Sequence, residues 1–174
     1  MEPISDNKLK YILDNDISIQ QYFCILLLSV LAELIDDPQL FIDSIMKTIG
    51  PNMYVILKAK GLIKDNYSNF GDLIRDINKA MDISDNIDVI YGEDGSLIAF
   101  VHLKDNNCKY CPKGIGGADL GSTCCPFIIL FEAIGEEVGL RYRASEFKKE
   151  NNVCKIVYKI VKEKNNTKFR KLFA

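Results

Sequence analysis

Residues 87–103 read IDVIYGEDGSLIAFVHL, and their periodicity decides the class of fold. Ile87, Val89 and Tyr91 occupy every second position, as do Leu97, Ala99, Val101 and Leu103. A period of two places alternate side chains on one face of a strand. Between the runs lies Glu93-Asp94-Gly95-Ser96, and Asp-Gly suits a tight hairpin turn because its residues tolerate positive φ. A β-hairpin is expected here.

Upstream the period changes. Phe70, Leu73, Ile74, Ile77, Ala80 and Met81 recur at helical spacing, with Ser68 or Asn69 placed to cap the first turn. Asp72, Arg75, Asp76 and Lys79 fall on the opposite side. Earlier still, residues 17–35 are apolar nearly all round, through Tyr22, Phe23, Ile25, Leu26, Leu27, Val30, Leu31 and Leu34. Such a helix is either deeply buried or packed on a partner, and a homodimer is expected. Pro38 ends that helix and opens a second, which is expected to stop at Gly50-Pro51. A short third helix covers 53–59. Residues 1–16 are polar and expected to be loosely attached.

Downstream, a glycine-rich loop spans 105–123. Pro126 then opens a helix whose buried side is Phe127, Leu130, Phe131, Ile134 and Val138, and whose wet side is Glu132, Glu136 and Glu137. It ends at Gly139. Residues 141–147 and 153–161 form a second hairpin turned at Asn151-Asn152, with Cys154, Ile156 and Tyr158 on one face. The expected fold is α+β, with N-terminal helices followed by an antiparallel sheet of two β-hairpins separated by a helix. Residues 1–65 form a helical segment, 66–162 an α+β metal-binding domain, and 163–174 a basic tail.

The chain has 174 residues, 48% of them hydrophobic, and a formal net charge of −2. That charge excludes a strongly basic nucleic-acid binder. The N-terminal residues lack the profile of a secretion signal, and the most apolar run, 22–31, is too short to span a bilayer. A cytoplasmic location is expected. The six cysteines are then not a disulfide framework.

Five of those cysteines fall between 108 and 154. Cys108 and Cys111 form a CxxC knuckle, two thiolates that one ion can share across the intervening turn. Cys124 and Cys125 stand at a helix start, where the dipole favours the thiolate. Cys154 lies mid-strand. Metal chelation accounts for this pattern better than scattered buried thiols or a redox dithiol. Four thiolates accept zinc or an iron–sulfur cluster, and zinc is preferred because the ferredoxin spacing is missing. A site closed by four protein ligands would make the zinc structural. Cys24 is expected to be an inert core residue. His102 is assigned to the exposed side of its strand.

The stretch from Cys124 through Pro126 and Gly139 to Glu146 and Cys154 resembles the 4-vinyl reductase domain family. That family has a cysteine at a helix start, glycines along the helix, then a glutamate and cysteines in the closing hairpin. Lys149 stands where the family has a middle cysteine, and Cys108 or Cys111 would have to supply the missing sulfur. The resemblance implies that Glu146 is a further metal ligand and that the domain binds or senses a hydrophobic or aromatic small molecule. It also implies a fold related to gas sensors and vesicle-tethering subunits. Tyr91, Phe131, Ile134 and Tyr158 are the candidates for the pocket wall. The alternative is an iron–sulfur or reductase-accessory protein. No nucleophile–histidine pair or phosphate-binding loop marks an enzyme.

Overall fold

The structure is a computed structural model that describes residues 5–102, 108–112, 125–150 and 153–161. Its elements run α1 (Asp6–Asp14), α2 (Ile19–Leu34), α3 (Pro38–Ala59), α4 (Phe70–Met81), β1 (Asn86–Tyr91), β2 (Leu97–His102), α5 (Phe127–Glu137), β3 (Tyr142–Glu150) and β4 (Val153–Ile160). This is the α+β order expected, with two antiparallel hairpins on either side of a helix.

The strands form one sheet in the order β1-β2-β4-β3, antiparallel throughout. Ala99 stands between Val89 and Ile156, and Leu97 faces Tyr158. Ile87, Leu97, Ala99, Val101, Ile156 and Tyr158 are buried in the main core together with Phe70, Leu73, Ile74 and Ile77 of α4 and Phe131 and Ile134 of α5. One face of the sheet is thus covered by helices, as its alternation requires. The turn between β1 and β2 is closed by Gly92 N–H donating to Ser96 C=O at 2.8 Å, with Gly95 at φ +80°. The α4 cap is Asn69, whose Oδ1 accepts from Asp72 N–H at 2.9 Å. The turn expected at Asn151-Asn152 lies outside the described residues.

Three local expectations are corrected. Gly50-Pro51 does not break a helix, and α3 runs through it as a single element of 22 residues. A Cβ added at Gly50 would stand 2.4 Å from Ala133 Cβ, so the glycine permits α3 to lie directly on α5. That packing holds the helix together across the missing Pro51 donor. Residues 6–14 form α1 rather than a loose end, because Ile12 and Ile17 pack on Ile25 of α2 in a small core of their own. Glu132 is not on a wet side. It is 3% exposed, its carboxylate accepts from Ala144 N–H, and it lies beside Arg143. Strand β3 bulges between Ala144 and Glu146, and the carboxylate fills the acceptor position there.

No helix among the described residues is long and apolar enough to cross a membrane.

Candidate functional site

The residues of Cys108-Lys109-Tyr110-Cys111 form a turn in which Cys111 N–H donates to Cys108 C=O at 3.0 Å. The turn is tied to the end of α4. Lys109 N–H donates to Ile83 C=O at 3.0 Å, Tyr110 Oη to Met81 C=O at 3.0 Å, and Lys109 Nζ pairs with Asp82. Asn78 steadies the same end, bonding Ser84 N–H and C=O through its amide. Cys125 arrives just before Pro126, the N-cap of α5. Its main chain is held by Gln39 of α3. Cys154 faces the helical layer from β4, opposite Lys149 of β3.

The fold therefore gathers Cys108, Cys111, Cys125 and Cys154 close enough to act on one another. A hydrogen bond shared with Cys111 raises the Cys108 thiol, and burial adds to it. Burial raises Cys125 to about 12, and neighbouring Cys154 adds to the shift. Burial raises Cys154 to about 11, against the pull of Lys149. Burial thus favours the neutral form of each of these thiols. Cys124 lies outside the described residues. Cys24 is half-buried on α2. Glu146 pairs with Val157, so it sits on the opposite face of the sheet from Cys154. The side chain of His102 is not among those described.

Of the residues expected to line a pocket, Phe131, Ile134 and Tyr158 are fully buried in the main core. Tyr158 Oη donates to Ile128 C=O at 3.0 Å. Phe70 fills the space between them and the sheet, stacked on Tyr142 with centroids 4.7 Å apart and edge-on to Tyr158 at 5.1 Å. Tyr91 is different. It is 48% exposed at the sheet edge, and its hydroxyl accepts from Gly71 N–H at 3.1 Å and donates to Asn69 at 2.8 Å. An open groove of about 470 Å³ lies at the surface, lined among others by Met53, Ile56, Leu57, Met81, Asp16 and Asp82.

The other notable surface belongs to α2. Its buried side is Gln21, Ile25, Leu28 and Ser29. Gln21 both closes the capping box with Ser18 and donates from Nε2 to Asp82 C=O at 3.1 Å. On the other side Ile19 is 85% exposed, Phe23 66% and Leu34 76%, with Leu27 half-exposed. The run of apolar residues in the sequence pointed to this face. It held no sign of Gln39, Asn78 or Tyr110, whose partners lie far along the chain or belong to the backbone.

The metal reading is corrected. Among the described residues no group of three or more histidine, cysteine, aspartate or glutamate side chains is disposed to hold a metal ion. Glu146 lies on the far face of the sheet from Cys154. The zinc-containing sensing module expected from the sequence finds no such site among the described residues.

The family resemblance is corrected too. The model of the MJ0207 family matches residues 35–160, which include the whole stretch that resembled a 4-vinyl reductase domain. No curated protein matches the chain. Among solved structures the chain is similar to a trafficking protein particle complex subunit 3 from Naegleria fowleri covalently bound to palmitic acid, at 14% identity and a TM-score of 0.55. The likeness covers 83% of this chain and 96% of that one, and it concerns the fold. With most of its length inside one family match, the chain belongs to the MJ0207 family.

Proposed function

We propose that this protein is a docking subunit, a module that works by holding another polypeptide through its helical layer. The observation that carries the reading is the apolar side of α2. Ile19, Phe23, Leu27 and Leu34 stay in water although the chain has a packed core beside them. Large contiguous apolar surface of this kind marks an interaction site. The similar fold is that of a protein named as a subunit of a particle complex, which supports the same direction. The test is a photo-crosslinking amino acid placed at Phe23 in the protein's native cells, with Asp88 on the exposed sheet face as the control site. A discrete protein adduct from position 23 and none from position 88 is expected. No adduct at 23 would sink the reading.

A second reading rests on the thiols. Cys108, Cys125 and Cys154 pack against the main core, and the solved neighbour carries a covalently bound palmitic acid. On this reading a fatty acyl chain is the hydrophobic ligand, transferred from an acyl thioester to one of these cysteines, the donor's thiol leaving with the cysteine's proton. Intact-protein mass spectrometry before and after hydroxylamine tests it, and an unmodified mass in freshly isolated protein rules it out.

A further inference from the structure

We infer that Cys108 and Cys111 are a reversible dithiol–disulfide site, closed by a low-molecular-weight disulfide and reopened by the matching thiol, without unfolding of the chain. The site is independent of the docking reading.

The geometry of the turn comes first. Cys111 N–H donates to Cys108 C=O at 3.0 Å, with Lys109 and Tyr110 as the two central turn residues. Such a turn brings the α-carbons of its first and last residues within about 7 Å. A disulfide spans about 4.4–6.8 Å between α-carbons. The two thiols also share a hydrogen bond, so the sulfurs already meet. Both cysteines are free, and both are half-buried rather than enclosed.

The second observation is what holds the turn. Lys109 N–H donates to Ile83 C=O, Tyr110 Oη donates to Met81 C=O, and Lys109 Nζ pairs with Asp82. Tyr110 also packs edge-on against Phe127 of α5, with ring centroids 5.2 Å apart. The main chain is thus pinned to two helices on either side of the cysteines. Closing the bond needs rotation of two side chains and leaves these anchors in place. Cys125 and Cys154 act on each other through charge, but each is anchored separately, one by Gln39 and the other within the β2-β4-β3 ladder. Joining them would pull β4 toward α5.

The chemistry is two successive exchanges. One cysteine loses its proton and attacks the oxidant's sulfur, and the first small thiol leaves with that proton. The second cysteine then displaces the other small thiol, and the Cys108–Cys111 bond forms. Two electrons and two protons pass to the oxidant, which ends as two thiols. Closure gives up the thiol–thiol hydrogen bond, a stabilisation that only the reduced form has. That loss makes the bond easy for excess thiol to reopen.

The experiment uses the full chain, fully reduced and then held folded in equal millimolar amounts of glutathione and glutathione disulfide. After an acid quench, the chain is unfolded and its remaining thiols are capped. Capping should fall by two of the six cysteines, with helical circular dichroism unchanged. Excess dithiothreitol should restore all six. Trypsin cuts after Lys104, Lys109 and Lys113, so the bond should appear as peptide 105–109 joined to peptide 110–113. Cys108→Ser and Cys111→Ser should each abolish that product, and Cys154→Ala should retain it. A link that joins either peptide to one carrying Cys24, Cys125 or Cys154 overturns the inference. So does a folded parent that keeps all six thiols, or a link that forms only once urea has unfolded the chain.

Discussion

Gln39 and Cys125 are joined by a pair of hydrogen bonds that run in opposite directions. Cys125 N–H donates to Gln39 Oε1 at 2.7 Å, and Gln39 Nε2 donates to Cys125 C=O at 3.1 Å. One amide side chain on the first turn of α3 thus satisfies both main-chain groups of a residue 86 positions away. Gln39 Nε2 also bonds Asp43 Oδ1 at 2.6 Å, which holds the amide in place. The clamp positions the start of α5 and, with it, the thiol that faces Cys154.

Replacing Gln39 by alanine strips both partners from Cys125. Burying the unpaired N–H and C=O should cost about 1–3 kcal/mol. Gln39→Glu keeps the acceptor and loses the donor, so it should recover only part. Urea unfolding of the three proteins checks the order, and an alanine variant as stable as the parent would show that water replaces the clamp.

Gly50→Ala separates two effects of opposite sign. Helix propensity alone would favour alanine by roughly 0.5–1 kcal/mol. The new Cβ would stand 2.4 Å from Ala133 Cβ, so α3 and α5 must part or the site must strain. Overpacking of this kind costs about 1–3 kcal/mol and should win. Thermal unfolding of Gly50→Ala decides, and a higher midpoint than the parent's would refute the close contact.

Glu132 yields a prediction that depends on pH. Burial raises its carboxyl above the ordinary range, although Ala144 N–H and Arg143 oppose the shift. The folded state therefore binds this proton more readily than the unfolded chain, so its contribution is fully present at low pH and is lost as pH rises through the raised value. Glu132→Gln keeps an acceptor for Ala144 N–H without a charge to bury. At pH 7 it should be at least as stable as the parent, and its advantage should shrink as pH falls toward 4. Glu132→Ala leaves the N–H unpaired and should lose about 1–3 kcal/mol at any pH.

The thiols make the protein sensitive to alkali. Cys125 is raised from an ordinary 9.0 to about 12, and Cys154 to about 11. Their stabilising contribution is complete below about 9 and disappears as pH climbs toward 11 and 12. The unfolding midpoint of the parent should fall across that window, and the fall should be shallower in Cys125→Ala. At pH 8 native Cys125 should resist iodoacetamide that labels the unfolded chain at once. Rapid native labelling there would contradict the burial of the thiol.

Much of the helix–hairpin unit was legible in residues 70–103. Their periods of 3.6 and two, the Asn69 cap and the Asp-Gly turn act between residues a few positions apart. The capping box of α2 is equally local, but it came to light only in the structure. The spacing of Cys108, Cys111, Cys125 and Cys154 suggested a neighbourhood built around a metal. It did not foretell what the neighbourhood is, because a thiol's state depends on burial and on nearby charge, and a short pattern of cysteines and glycines recurs in unrelated families. Gly50-Pro51 carries a breaker's local preference, and only the surface of α5 beneath it turned that preference into a close crossing. Glu132 has a surface residue's chemistry until the bulge in β3 brings a backbone N–H to it. Local chemistry along the chain set the elements and their faces. The approach of residues tens of positions apart set which of those faces closed, because burial and pairing belong to the neighbours a side chain meets and not to the side chain alone.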